Sequence, residues 1–216
     1  MLKFITLATV LLASAASAVP AAVEGQARDS YALYTGNGSP GAGWPAVSAW
    51  ATFDSLDDSA AEIADIKSAV TSIAGRAGID PRFVLAIVMQ ESKGCVRVPT
   101  TVSPDGGVIN PGLMQTHNGK GTCAGRQPCP ASSIIQMIED GTLGTSSGDG
   151  LKQTLETAKR ATGDGAARMY YTAARIYNSG SATYAKLQDG RGATNCYASD
   201  VANRLTGWAL AQSRCY

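Results

Sequence analysis

The sequence predicts a mainly α domain whose only β character is one small irregular or β-hairpin insertion. Three observations carry that reading. Seven consecutive apolar residues, Phe83 to Met89, cover every side of a helix, so this helix is expected to be central and buried all round. Amphipathic stretches with three- and four-residue apolar spacing lie before and after it. Residues 94–130 break that pattern, being rich in Gly, Pro, Thr and Asn with little helical periodicity.

The elements follow in order. With 216 residues, 44% of them hydrophobic and 16% charged, the chain fits one globular domain with a real core. Residues 1–18 read as a secretory signal peptide: Lys3 supplies the positive start, Phe4 to Leu12 the apolar stretch, and Ala16-Ser17-Ala18 the small-residue cleavage site. That apolar stretch is too short to span a bilayer, so the mature protein is expected to be secreted and free of the membrane. Residues 19–56 are expected to form an N-terminal arm packed on the core. Its stretch from Tyr31 to Trp50 interleaves aromatics with Gly and Pro, a loop composition. The aromatics could stack on sugar rings or strap the arm to the core.

The remaining domain, residues 57–216, opens with an amphipathic helix over Ser59 to Arg76. Ile63, Ile66, Val70 and Ile73 line its inner face, and Asp57 and Asp58 suit its start. The buried helix starts with Asp80 as cap and Pro81 at its first position. Val96, Val98, Thr101, Val102, Val108 and Ile109 could form a hairpin around Asp105-Gly106-Gly107. Helices resume at Ser132 to Asp140, Gly150 to Arg160, Gly165 to Tyr177, and Ser199 to about Gln212 with Ser199 as cap.

Charge and cysteine content narrow the function. Loss of Lys3 with the signal leaves 17 of the 18 basic residues against 17 acidic ones, which argues against nucleic acid as a partner. The five cysteines in an exported chain read as disulfide formers, with Cys123–Cys129 and Cys196–Cys215 plausible by proximity and the odd count leaving one thiol unpaired or paired between molecules. There is no C-x-x-C, and His117 is the only histidine, so neither a metal site nor a cofactor is implied.

Glu91 follows the apolar run directly. It falls in the last turn of the central helix, where poor solvation and the negative end of the helix dipole both disfavour a carboxylate. A carboxyl held protonated near neutral pH is what a general acid needs. A glutamate that leaves the core at a helix end and reaches water is the alternative on these residues alone.

Three separated motifs accompany it: Gln90-Glu91-Ser92, Pro111-Gly112-Leu113-Met114-Gln115, and Ala174-Arg175-Ile176-Tyr177-Asn178-Ser179-Gly180. Together and in this order they resemble the lysozyme-like fold of soluble lytic transglycosylases and goose-type lysozymes. That family shows a helix ending in E-S, then G-L-M-Q, then a helix ending in Y-N-A-G. The resemblance runs from about Gly78 to Gly180, and Tyr197 and Val201 are weakly similar to a later tyrosine-containing helix of the family. It implies a monomeric, cofactor-free enzyme that cleaves peptidoglycan, with chitin as the close rival substrate. A secreted glycan-binding protein that has lost activity is the alternative from another class.

Under that resemblance Glu91 is the general acid and Ser92 orients it. Gly112 lets backbone pass close to the substrate or to Glu91, while Leu113, Met114 and Gln115 line the cleft, with plain core packing as the alternative for Met114. Tyr177 orients the Glu91 carboxyl and Asn178 holds an N-acetyl group or a water, with an ordinary helix C-cap as the alternative for both. The second step is attack by the substrate's own 6-hydroxyl, as in lytic transglycosylases, or by a water held by Asp105. Residues 105–111 depart from the compact spacing of typical transglycosylases, and Asp105 also suits an Asp-Gly turn. Asp200 is a further candidate acid, or a helix N-terminal carboxylate.

Overall fold

The computed structural model describes residues 31–50, 59–104, 107–207 and 213. The regular structure of these residues is mainly helical, with one small two-stranded antiparallel sheet. Residues 1–18, Asp57, Asp58, Asp105 and Cys215 lie outside the described residues.

Helix α1 spans Ala60–Ala77. Its cap is Ser59, whose Oγ accepts the Glu62 amide while the Glu62 carboxyl accepts the Ser59 amide, a reciprocal capping box. Gly78 ends it in the left-handed conformation. Ile66, Ala69, Val70 and Ile73 face the core, while Ile63 is only half-buried.

Helix α2, Pro81–Ser92, starts as expected: the Asp80 carboxylate accepts the Arg82 amide at 2.9 Å and Pro81 occupies the first position. Phe83, Val84, Ala86, Ile87, Val88 and Met89 are fully buried, and only Leu85 of the apolar run keeps some exposure. Each large side chain buried here contributes about 2 kcal/mol. Lys93 ends the helix with φ 56°, a left-handed conformation unusual for a residue with a side chain.

The insertion is smaller than the sequence predicts. β1 (Thr101–Val102) pairs antiparallel with β2 (Ile109–Asn110), placing Val102 opposite Ile109. Val96 is instead buried in the core, and Val98 closes a turn by donating its amide to the Cys95 carbonyl. A Cys123–Cys129 disulfide closes the following loop, Cys95 is a free thiol, and Cys196 is disulfide-bonded to a partner outside the described residues.

Four helices complete the domain: α3 (Ala131–Leu143), α4 (Leu151–Thr162), α5 (Ala167–Ser179) and α6 (Tyr197–Leu205). The main helix contacts run in a ring, α2 to α1, α3, α4, α5, α6 and back to α2. Helix α6 begins two residues earlier than expected. Cys196 takes a left-handed conformation before it, so Ser199 lies inside the first turn, and its Oγ accepts the Tyr34 amide at 2.9 Å.

The N-terminal arm is strapped to this ring. Trp44 and Trp50 are only 2% and 3% exposed, so neither offers a ring face to a sugar. Trp44 packs on Tyr171 of α5 with centroids 4.9 Å apart, and Trp50 meets Tyr170 edge-on at 5.2 Å. Both indole nitrogens are satisfied, Trp50 by the Tyr171 hydroxyl and Trp44 by the Thr35 carbonyl. Ahead of them, Tyr31 donates to Asp200, and Asn203 accepts the Ala32 amide and donates to its carbonyl. The arm therefore covers the outer face of α6 while the other face meets α2.

Candidate active site

Glu91 stands one residue before the end of α2, where the two preceding turns are closed in by core. The residue keeps some solvent-accessible surface, yet its carboxyl lies among enough protein to be poorly solvated. Burial pushes its pKa up to about 7; the Tyr197 hydrogen bond and the Arg204 charge pull the other way and lose. The Tyr197 hydroxyl donates to Glu91 Oε1 at 2.5 Å. Among the described residues no other group hydrogen-bonds this carboxyl, which leaves Oε2 for an acceptor from outside. A neutral acid with one oxygen held and the other free can deliver a proton.

Tyr197 is the first residue of α6 and is almost fully buried. Burial and the neighbouring Glu91 raise its pKa, so it stays a neutral donor. The Arg175 guanidinium of α5 lies over its ring, 5.8 Å from the centroid, which favours a polarised hydroxyl. Arg175 is itself held by the Thr194 carbonyl at 2.7 Å and by the Asn178 side-chain oxygen.

Several expected roles change. Tyr177 does not bond Glu91; its hydroxyl donates to the Met114 carbonyl at 2.8 Å, with Thr116 Oγ1 beside it at 3.4 Å. It is near enough for the Glu91 charge to raise its pKa further, after burial. Its contribution is to pin the Gly112 to Thr116 turn against α5. Ser92 turns away from Glu91: its Oγ donates to the Val88 carbonyl at 2.9 Å and accepts the Gly94 amide. A serine at a helix end satisfies local backbone more readily than it reaches a neighbouring side chain. The Asn178 side-chain oxygen is taken by Arg175 rather than being open to an N-acetyl group.

The Gly112 to Gln115 turn is a packing device. Leu113 and Met114 are fully buried and line no cleft. Gly112 has φ +74°, and a Cβ there would meet the Gly121 carbonyl at 2.5 Å and Met137 at 2.6 Å, so the close approach is to the protein's own loop and α3. Gly141 of α3 gives room to Met114, since a Cβ there would come within 2.4 Å of its sulfur. Gln115 takes a left-handed backbone, φ 45°, and spends its side chain on tethers. It accepts from Thr101 Oγ1 at 2.8 Å and donates to the Gly112 and Pro99 carbonyls. It thereby ties β1 to the turn rather than standing free in a cleft.

The other candidate acids separate. Asp105 lies outside the described residues. Asp200 is 3% exposed beneath the arm and accepts the Tyr31 hydroxyl at 2.7 Å, with burial raising its pKa. It holds the strap and does not face water. The sequence assigns no role to the Tyr197 donor or to Arg204, whose Nε donates to Gln90 Oε1 at 2.6 Å. Their spacing was a usable signal: positions 197 and 204 lie two turns apart on one helix face, beside apolar Val201. The chain matches no protein-family model and no curated protein by sequence.

Proposed function

We propose that the protein is a secreted glycosidase that cleaves peptidoglycan at the β-1,4 bond between N-acetylmuramic acid and N-acetylglucosamine. One observation carries this reading: the Glu91 carboxyl, raised to a pKa of about 7, is held through Oε1 by Tyr197, while no described residue bonds Oε2. Oε2 delivers its proton to the glycosidic oxygen as the C1–O bond breaks, and the departing sugar leaves as a neutral alcohol. The Glu91 carboxylate left behind is then placed to take a proton from the incoming nucleophile. The order of Gln90-Glu91-Ser92, Gly112 to Gln115 and Tyr177-Asn178 along the chain adds the lysozyme-like resemblance to this reading. The partner is a polysaccharide, and the enzyme works as a monomer without cofactor.

The nucleophile separates two outcomes of the same first step. Attack by the muramyl 6-hydroxyl yields an anhydro end and needs no second protein carboxylate. Attack by water with inversion needs a second carboxylate about 6.5–9.5 Å from the first, a role for Asp105. Mass spectrometry of digested peptidoglycan reads substrate and reaction together. Anhydro-muramyl products remove Asp105 from the mechanism; reducing ends abolished by Asp105→Asn place it there. Preferential cleavage of chitin would reassign the substrate. A Glu91→Gln variant that clears cell walls at the wild-type rate would overturn the proposal.

A further inference from the structure

We propose that Arg204 is a positioning residue for the Glu91 reaction: its guanidinium clamps the Gln90 side chain and brings a permanent positive charge to the end of α2, setting the alkaline limit of activity. This inference rests on the general-acid reading of Glu91.

The placement is geometric. Tyr197 and Arg204 are seven residues apart on α6, so they share the face that meets α2. From that face Tyr197 takes the Glu91 carboxyl, and Arg204 Nε takes Gln90 Oε1 at 2.6 Å. Two consecutive residues at the end of α2 are thus held by one neighbouring helix. Arg204 is only 5% exposed. Burying a guanidinium is unfavourable by several kcal/mol unless its charge is compensated, and it does not escape by losing a proton.

The charge acts on a small set of groups. Around Glu91 stand Tyr197 and Arg204 from α6 and Tyr177 from α5, with Arg175 of α5 across the Tyr197 ring. Around Arg204, among the described residues, stand Asp200, Tyr197, Glu91 and Tyr31. The tyrosines stay neutral, so ionised Glu91 is stabilised first by the Tyr197 hydrogen bond and then by the Arg204 charge, both opposing burial. Without that charge Glu91 would hold its proton to higher pH. The acid would then be weaker, and the reaction would run on into more alkaline solution.

The test uses Arg204→Lys, Arg204→Met and the paired Asp200→Asn/Arg204→Gln variant, which leaves no unpaired buried carboxylate if the single change fails to fold. The Glu91 side-chain carbon is followed by NMR titration in glutamate-labelled protein, its signal assigned by its loss in Glu91→Gln. Cell-wall clearing is recorded across the same pH range. Arg204→Met and the paired variant should move both the titration midpoint and the alkaline limb of activity up by about one pH unit. Arg204→Lys should leave both in place while lowering the rate. Folded Met or paired variants with an unmoved midpoint would overturn the assignment, as would a lysine variant that behaves like methionine. An active Glu91→Gln would instead overturn the general-acid reading, and the alkaline limit with it, whatever the midpoints do.

Discussion

Replacing Glu91 by glutamine removes one ionisation while keeping the size of the side chain and a carbonyl oxygen for the Tyr197 hydroxyl. The consequence for stability follows from the raised pKa. Glu91 titrates near 4.5 when unperturbed and near about 7 in the folded protein. Between those values the native state holds a proton that the unfolded state has lost. Stability therefore falls as pH rises through this window, and the loss is complete above it. A displacement of this size corresponds to about 3 kcal/mol. Glu91→Gln should thus match the wild type near pH 4 and exceed it by up to about 3 kcal/mol near pH 8.5. For a domain of this size that is a rise in Tm of about 6–12 °C. Urea unfolding followed by circular dichroism at both pH values gives the difference directly. A difference that does not change with pH would mean that Glu91 titrates as an ordinary carboxyl, and the general-acid argument would lose its basis. The same variant should clear no cell wall, so stability and activity should move in opposite directions at alkaline pH.

Tyr197→Phe removes the hydroxyl from Glu91 Oε1, a bond that lowers the Glu91 pKa. The alkaline limb of a cell-wall clearing assay should move up, and the rate should fall about 10- to 100-fold, the range for a hydrogen bond to a charged group. Glu62 is held near a pKa of about 2, first by Arg97, then by the Cys129 amide and Ser59. Its stabilisation is present above about 4.5 and lost as pH falls towards 2, so Glu62→Gln should flatten the acid side of the stability profile in equilibrium unfolding. Gly141→Ala would drive a methyl against Met114, and calorimetry should show about 1–3 kcal/mol of destabilisation with the Glu91 titration unchanged.

Local chemistry made most of the elements legible. Asp80 and Pro81 announce α2, Gly78 and Gly180 end α1 and α5, and the apolar spacing of Ile66, Val70 and Ile73 sets the inner face of α1. The start of α6 departs from the sequence pattern because Ser199 is a good cap by type, while the chain begins the helix after a left-handed Cys196 that forms a disulfide. The hairpin is shorter than its residues suggest because Val96 has strand propensity yet is drawn into the core.

For the site, the sequence alone determined that an acidic residue follows a run of seven apolar residues at a helix end, which allows either a poorly solvated carboxyl of raised pKa or one that reaches water. Which groups touch that carboxyl was decided only by the tertiary structure. Half-buried Tyr177 and buried Tyr197 both lie near Glu91, and spacing along the chain does not choose between them. The choice rests on how α5 and α6 sit against α2, which turns Tyr177 towards the Met114 carbonyl and Tyr197 towards Glu91. Arg204 acquires its place in the same way, through a helix contact that spans 114 residues of sequence. Burial is written in local composition, whereas partnership depends on packing between distant segments.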